Sequence, residues 1–141
     1  MDINLILAAL KERGYRSTKT RQALIKALSK ANSPLSALEL QELLMKAGLK
    51  PHKTTVYREL ESLQSEDFIN AIKLGGNSFK YELKSPEHCH HLVCTKCRKI
   101  DRIAISHNLG HEEKAIKKAK NFKVTSHVLE FYGLCSHCYK E

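Results

Sequence analysis

Nowhere in the 141 residues do eighteen apolar side chains run together, and residues 1–10 hold no basic stretch leading into an unbroken apolar one. Neither a membrane-spanning helix nor a secretory leader is expected from that pattern, so the expectation is a soluble cytoplasmic protein with no membrane partner. No nucleophile motif and no cleft-forming α/β frame can be read, which counts against an enzyme. Acidic residues are also in the minority. Asp and Glu number 15 against 24 Lys and Arg, a formal charge of +9. Up to Ser85 there are 14 basic and 9 acidic residues, and beyond it 10 and 6, so the excess is not confined to one tail. A phosphate backbone is the commonest partner for such a field, although lysines on helix faces are often simply solvated.

What the chain does have is two tight cysteine clips, Cys94-x-x-Cys97 and Cys135-x-x-Cys138. Each clip can present two sulfurs to one ion, and a four-thiolate shell leaves no coordination position open, so a structural tetrahedral Zn2+ is expected. The competing reading is two disulfides in a secreted scaffold. It is disfavoured because a chain with 42% hydrophobic residues can bury a core without covalent staples.

Helical spacing recurs along the first half. Ile3, Ile6, Leu7 and Leu10 form one apolar stripe, and Ala23, Leu24, Ala27, Leu28 and Ala31 form a second after a start signal at Ser17 and Thr18. Ser36 and Glu39 have capping-box spacing ahead of Leu40, Leu43 and Leu44, with Gly48 as the stop. After Pro51, Val56, Leu60 and Leu63 mark a fourth helix whose other face shows Lys53, Thr54, Thr55, Tyr57 and Arg58. Two extended runs, residues 68–74 and 78–83, flank a glycine turn at residues 75–77 and predict a β-hairpin. Helices followed by a hairpin are the parts of a winged helix-turn-helix. In that reading Lys53 and Arg58 face phosphate or guanine, while Thr55 and Tyr57 offer hydroxyls and apolar surface to double-stranded DNA. A merely solvated helix face is the alternative.

Residues 84–91 read as a hinge entering a ligand cluster. Glu82 and then His88, Cys89, His90 and His91 place five potential ligands within ten residues. If 88–91 are extended, His88 and His90 share one face and Cys89 and His91 the other, which allows two ion sites. His127, on a strand expected over 123–132, can join the first and Glu82 the second; a chance histidine-rich loop is the competing view. Residues 107–120 predict a helix with Leu109, Ile116 and Ala119 inward. His107 and His111 have ligand spacing there, but Asn108 stands where a zinc protease needs its glutamate base. A surface histidine pair fits equally.

The run Lys53-Thr-Thr-Val-Tyr-Arg-Glu-Leu60, the cluster from His88 to Cys97 and the ending from Val124 to Cys138 together resemble the ferric uptake regulator (Fur) family of metal-sensing repressors, over nearly the whole chain. The resemblance implies an α+β fold, with a winged helix-turn-helix DNA-binding domain over 1–84 and a small α/β metal-binding and dimerisation domain with a four-cysteine zinc site over 85–141. It implies that Cys94, Cys97, Cys135 and Cys138 hold structural zinc, that His88, His90 and His127 form the regulatory site, and that Glu82, Cys89 and His91 form an accessory site. It also implies that Tyr57 and Arg58 read the groove, that Arg16 reaches the minor groove and that Arg21 contacts phosphate. Two departures stand out. The usual acidic fourth regulatory ligand falls at Gly110, leaving His107, His111 or Glu112 to substitute, with His111 favoured. The accessory site's usual histidine falls at Ser33 or Pro34.

An imidazole-rich regulatory shell without aspartate favours Zn2+ over Fe2+ as the sensed ion. The expected function is therefore a homodimeric, metal-responsive repressor of metal-uptake genes acting on operator DNA, zinc-sensing rather than iron-sensing. Unpaired edges at 100–105 and 123–132 point to the dimer. Because histidine and thiol ligands must shed protons, the switch should weaken below about pH 6. Two other classes compete with this reading: a zinc-ribbon nucleic-acid binder without sensing, and a zinc hydrolase using His88, His90 and His127 with Glu130 or Glu112 as base.

Overall fold

The computed structural model describes residues 2–75, 77–85, 89–105, 109–125 and 127–140. The chain divides into two compact units, Met1–Ser85 and Pro86–Glu141. His88 and His107 lie outside the described residues.

The first unit begins with four helices whose ends follow local chemistry. Helix α1 (Ile3–Glu12) is capped by Asp2, whose carboxylate accepts from the Asn4 amide at 2.9 Å. Helix α2 (Lys19–Lys30) is capped by Thr18, whose hydroxyl accepts from the Arg21 amide at 3.1 Å. The expected capping box opens α3 (Ala37–Lys46): the Ser36 amide donates to Glu39 at 2.6 Å and the Glu39 amide donates to the Ser36 hydroxyl at 3.2 Å. Each such cap satisfies amides that have no partner inside the helix, worth about 1 kcal/mol. After Gly48, at φ +83°, helix α4 spans Lys53–Ser65.

Strands β1 (Ile69–Gly75) and β2 (Ser78–Leu83) then pair antiparallel as the hairpin, and Leu35 adds a bridge to Tyr81 through two backbone hydrogen bonds of 2.9 and 2.7 Å. The apolar stripes of all four helices and the hairpin converge on one core. Ile6, Leu10, Leu24, Ile25, Leu40, Leu44, Val56, Leu60, Leu63 and Ile69 are all buried. That core leaves the Lys53–Arg58 face of α4 outward.

The second unit is built differently. Strands β3 (Cys89–Cys94), β4 (Ile100–Ala104) and β5 (Glu130–Gly133) form one sheet in the order β4-β3-β5; β4 is antiparallel to β3 and β5 is parallel to it. A parallel neighbour requires a crossover, and α5 (Gly110–Lys120) lies within it. Two expectations need correction. The strand expected over 123–132 exists only from Glu130: the His90 ring Nδ1 lies 3.2 Å from the Leu129 carbonyl, just where the ladder with β3 stops. The 107–120 helix begins at Gly110, and it packs no side chain inward, because Ile116 (41% exposed) and Ala119 face out. Both His90 and His91 are buried on β3.

Two predictions concern the first unit. Leu60→Ala, at a side chain 1% exposed, should cost about 2–5 kcal/mol, read from the urea midpoint by circular dichroism. Glu66 accepts from Arg13 at 2.6 Å and from the Tyr15 hydroxyl at 2.8 Å, and these bonds, Arg13's first, hold its carboxyl below the usual glutamate value of 4.5. A depressed carboxyl stabilises the fold above its unfolded value and loses that contribution as pH falls through the folded one. Stability should therefore fall more steeply between about pH 5 and 3 in the natural chain than in Glu66→Gln.

Candidate metal centre and nucleic-acid interface

Strand pairing assembles the thiols. In the parallel register of β3 and β5, Cys94 lies opposite Gly133, so the clip after each strand leaves the sheet at the same end. The Thr95 amide donates to the Gly133 carbonyl at 2.8 Å and ties the two clips together. Arg98, at φ +63°, lets the first clip turn back, with its amide donating to the Cys94 carbonyl at 2.9 Å. The second clip turns through amides of Cys138 and Tyr139 that both donate to the Cys135 carbonyl at 2.8 Å.

The resulting sulfurs of Cys94, Cys97, Cys135 and Cys138 all lie within 4.8 Å of one another, and Cys97 and Cys135 are 3.6 Å apart. Tetrahedral zinc with sulfur at about 2.3 Å requires sulfur separations of about 3.8 Å, so the cluster fits that ion. Its electrostatics fit too. The amides of Cys97 and Cys135 donate to the Cys94 sulfur at 3.5 and 3.4 Å, and the Cys97 amide foremost pulls the Cys94 thiol down to about 6. Hydrogen bonding from Cys97 likewise lowers Cys135. Burial, then the hydrogen bonds Cys138 gives its neighbours, pushes Cys138 up to about 12. Thiols with such divided proton affinities become four thiolates only when a cation supplies the compensating charge.

The histidine cluster is less complete. Among the described residues the four thiols are the one group of three or more ligand side chains so closely gathered. His90 sits buried on β3 opposite Ile103, with its Nδ1 3.2 Å from the Leu129 carbonyl, the kind of backbone contact that orients a metal-binding imidazole. His127 is not on a strand. Its Nδ1 lies 3.8 Å from the Glu113 carboxylate on the first turn of α5. Glu113 was not among the candidates read from sequence, where counting back from His127 led to Gly110 and then to His107, His111 or Glu112. The signal was the acidic pair 112–113 in the first turn of a helix. His111 is exposed on that same turn. Of the accessory set, Cys89 is half-buried and His91 buried in the second unit, with His91 opposite Arg102 and Glu130 in the sheet, while Glu82 is buried on β2 of the first unit.

In the first unit Lys53, Thr54, Tyr57 and Arg58 are exposed on α4, Thr55 is half-buried, and the Lys53 ammonium lies 5.8 Å from the Tyr57 ring centre. No side chain caps the start of α4 and no acidic residue stands in its first turn, which leaves a positive helix end on this face. Arg16 is exposed in the α1–α2 loop. Arg21 corrects expectation. Its side chain is 8% exposed, its Nε donates to Glu59 at 2.6 Å and its Nη1 to the Arg16 carbonyl at 2.6 Å. A guanidinium so committed is not presented to phosphate.

A profile of the ferric uptake regulator family matches residues 12–132. The chain belongs to the ferric uptake regulator family. The ferric uptake regulation protein of Legionella pneumophila is 31% identical over 130 residues, covering 92% of this chain and 95% of that one. The peroxide-responsive repressor PerR of Staphylococcus epidermidis is 27% identical over 96% of this chain and 89% of its own. Among solved structures, the ferric uptake regulator of Francisella tularensis with iron superposes with a TM-score of 0.72 at 27% identity, covering 89% of this chain and 95% of that one. The Helicobacter pylori regulator, described with three functional metal-binding sites, gives a TM-score of 0.82 at 24% identity over 100% and 96% of the two chains, a likeness of fold. The α+β architecture is therefore that of this family, and the family's members are metal-dependent transcription regulators that bind DNA. No helix among the described residues is long and apolar enough to cross a membrane.

Removing one thiol should empty the closed site. The natural chain is expected to retain one zinc through gel filtration, and Cys138→Ser close to none, as read by a colorimetric chelator after unfolding. Equal retention by both would show that the thiols do not hold the ion.

Proposed function

We propose that this chain is a homodimeric repressor whose grip on operator DNA depends on a regulatory divalent ion, with iron(II) as the sensed ion. The observation that carries the DNA-binding part is the outward face of α4. Lys53, Tyr57 and Arg58 are exposed on a helix whose opposite side, Val56, Leu60 and Leu63, is fully buried, ahead of a hairpin wing. A helix held that way presents cations and hydroxyls to a groove without loss of core packing.

The dimer is supported by the apolar surface of the second unit. Among its described residues the buried apolar side chains are Val93 and Cys94 alone, while Ile116, Phe122, Val128, Phe131, Tyr132 and Leu134 are exposed, Val128 by 85%. A unit of this size cannot cohere on so small a core, and exposed apolar side chains in that number mark a surface covered by a partner. A second copy supplies the symmetric solution.

The zinc expectation rests on a regulatory shell with no carboxylate. Glu113 beside His127 supports a shell that includes a carboxylate. A shell of His90, His127 and Glu113, with His88 proposed beside them, mixes imidazole with carboxylate oxygen and suits iron(II). An ion held there would supply a fixed positive centre joining the crossover to the central strand of the sheet. The Leu129 carbonyl contact would orient the His90 ring, and Glu113 would balance the ion's charge. Zinc remains the second reading, favoured by its place in the affinity order.

Thermodynamic reciprocity requires that whatever the ion adds to DNA affinity, DNA adds to ion affinity. The test is a gel shift on a duplex selected from a random-sequence pool, titrated with iron(II) under anaerobic conditions, with manganese(II) and with zinc. Iron(II) should raise affinity by roughly five- to hundredfold, the size of typical couplings, and His127→Ala should abolish the rise. Undiminished binding in a chelator that spares the four-thiol site would sink the switch.

A further inference from the structure

On the reading of this chain as a DNA-binding regulator, we infer that Arg21 and Glu59 form a positioning pair that holds the Arg16 loop in register with the reading helix α4. An arginine at the start of α2 in a DNA-binding unit is an obvious phosphate contact, yet here it is turned inward. Its side chain is 8% exposed and that of Glu59 is 12% exposed, with Nε and Oε2 2.6 Å apart.

The pair is one link in a continuous path. Arg21 Nη1 donates to the Arg16 carbonyl at 2.6 Å, and its guanidinium lies 5.1 Å from the centre of the Tyr15 ring. The Tyr15 hydroxyl donates to Glu66 at 2.8 Å, and Arg13 donates to the same carboxylate at 2.6 Å and to the Glu66 carbonyl at 3.1 Å. The residues before α2 are thereby tied to α4 at two points, its middle through Glu59 and its end through Glu66. Glu59 directly follows Tyr57 and Arg58, the exposed groove-facing pair, and Arg16 is exposed from the tethered loop. A buried ion pair is rarely worth more to stability than apolar side chains of the same volume. A guanidinium offers something an apolar side chain cannot: planar donors at fixed angles that set a backbone carbonyl and a carboxylate at one distance from each other. What is fixed here is the separation between exposed Arg16 and the exposed face of α4.

The two roles for Arg21 differ in sign at Glu59. If Arg21 were a phosphate contact restrained by Glu59, removing the carboxylate's charge would free the cation and strengthen DNA binding. If the pair positions Arg16, the same change weakens binding to the preferred sequence and leaves the phosphate contacts as they were. Metal-loaded natural chain, Glu59→Gln, Arg16→Ala and the double variant are compared on the selected duplex, on a scrambled duplex, and across a salt titration. Glu59→Gln should lose roughly five- to hundredfold on the selected duplex, the range of one directional base or groove contact, and about twofold or less on the scrambled one. Its salt dependence should match the natural chain's, whereas loss of one phosphate contact lowers the slope of log affinity against log salt by about 0.9. In the Arg16→Ala background Glu59→Gln should cost nothing further.

Equal or tighter binding by Glu59→Gln, additive losses with Arg16→Ala, or an Arg21→Gln chain whose only change is a shallower salt slope would each overturn the proposal. Urea unfolding of each variant shows that it is folded. If the single variants unfold, Arg21→Gln/Glu59→Gln, which leaves no buried charge unpaired, is read in the same assay, and wild-type selectivity in it overturns the proposal. A natural chain that shifts no duplex with any metal refutes the regulator reading instead, so the two failures are distinguishable.

Discussion

The parallel pairing of β3 with β5 is the constraint on which the second unit depends. Two strands separated by the whole crossover run side by side in the same direction, with Cys94 opposite Gly133, and only that register delivers both cysteine clips to one end of the sheet. Antiparallel pairing would leave the clips at opposite ends, and no ion could span them. The relation also works in reverse. With so few buried apolar side chains, this unit gains little from its own core, whereas structural zinc in small domains supplies apparent binding energies of about 10–16 kcal/mol. A metal there and the strand register would therefore stabilise each other, and the proposed dimer would cover the exposed apolar surface.

The first unit coheres by other means. Aliphatic side chains from four helices and a hairpin fill its interior, and the caps at Asp2, Thr18 and Ser36 fix where each helix begins. Beside that core, the polar network of Arg13, Tyr15, Arg21, Glu59 and Glu66 adds fixed geometry to whatever stability it contributes. It runs along the border between the start of α2 and the length of α4, and each charged member has a directional partner. Rigidity in a reading head matters because sequence discrimination comes from contacts that fail when displaced by an ångström or so.

What was legible in the sequence was local. The capping box at Ser36 and Glu39, the stop at Gly48 and the glycine turn between β1 and β2 are each decided by neighbours a few residues apart, and each is where its pattern put it. The clips were legible for the same reason, since two thiols three residues apart can do little else together. The failures all involve partners distant in sequence. Lys123 to Leu129 has strand-like residues, but a strand needs a neighbour, and the His90 side chain occupies the Leu129 carbonyl at the point where the neighbour ends. Ile116 looked inward because helical periodicity reports an apolar face without saying whose interior it joins. Arg21 looked like a DNA contact because Glu59 lies 38 positions away. Glu113 went unseen because spacing from His127 does not say which carboxylate the fold brings to that ring.

The two kinds of ligand set in the second unit divide the work by chemistry. Thiolate is soft and, in a closed shell of four, offers an incoming chelator or a wrong ion no vacant position, so an ion held there exchanges slowly and reports nothing. Imidazole with carboxylate is harder and binds more weakly, and the proposed set of His90, His127 and Glu113 draws its members from separate elements, the central strand, the segment before β5 and the first turn of α5. Such a set loses its geometry when the elements part, which makes occupancy responsive to concentration and gives it something to move. A sensor needs that second property and a scaffold needs the first. On the proposed function, placing both beside one three-stranded sheet would let the permanent ion hold the platform while the exchangeable one acts on it. The shared element is β3, which carries His90 and ends at Cys94.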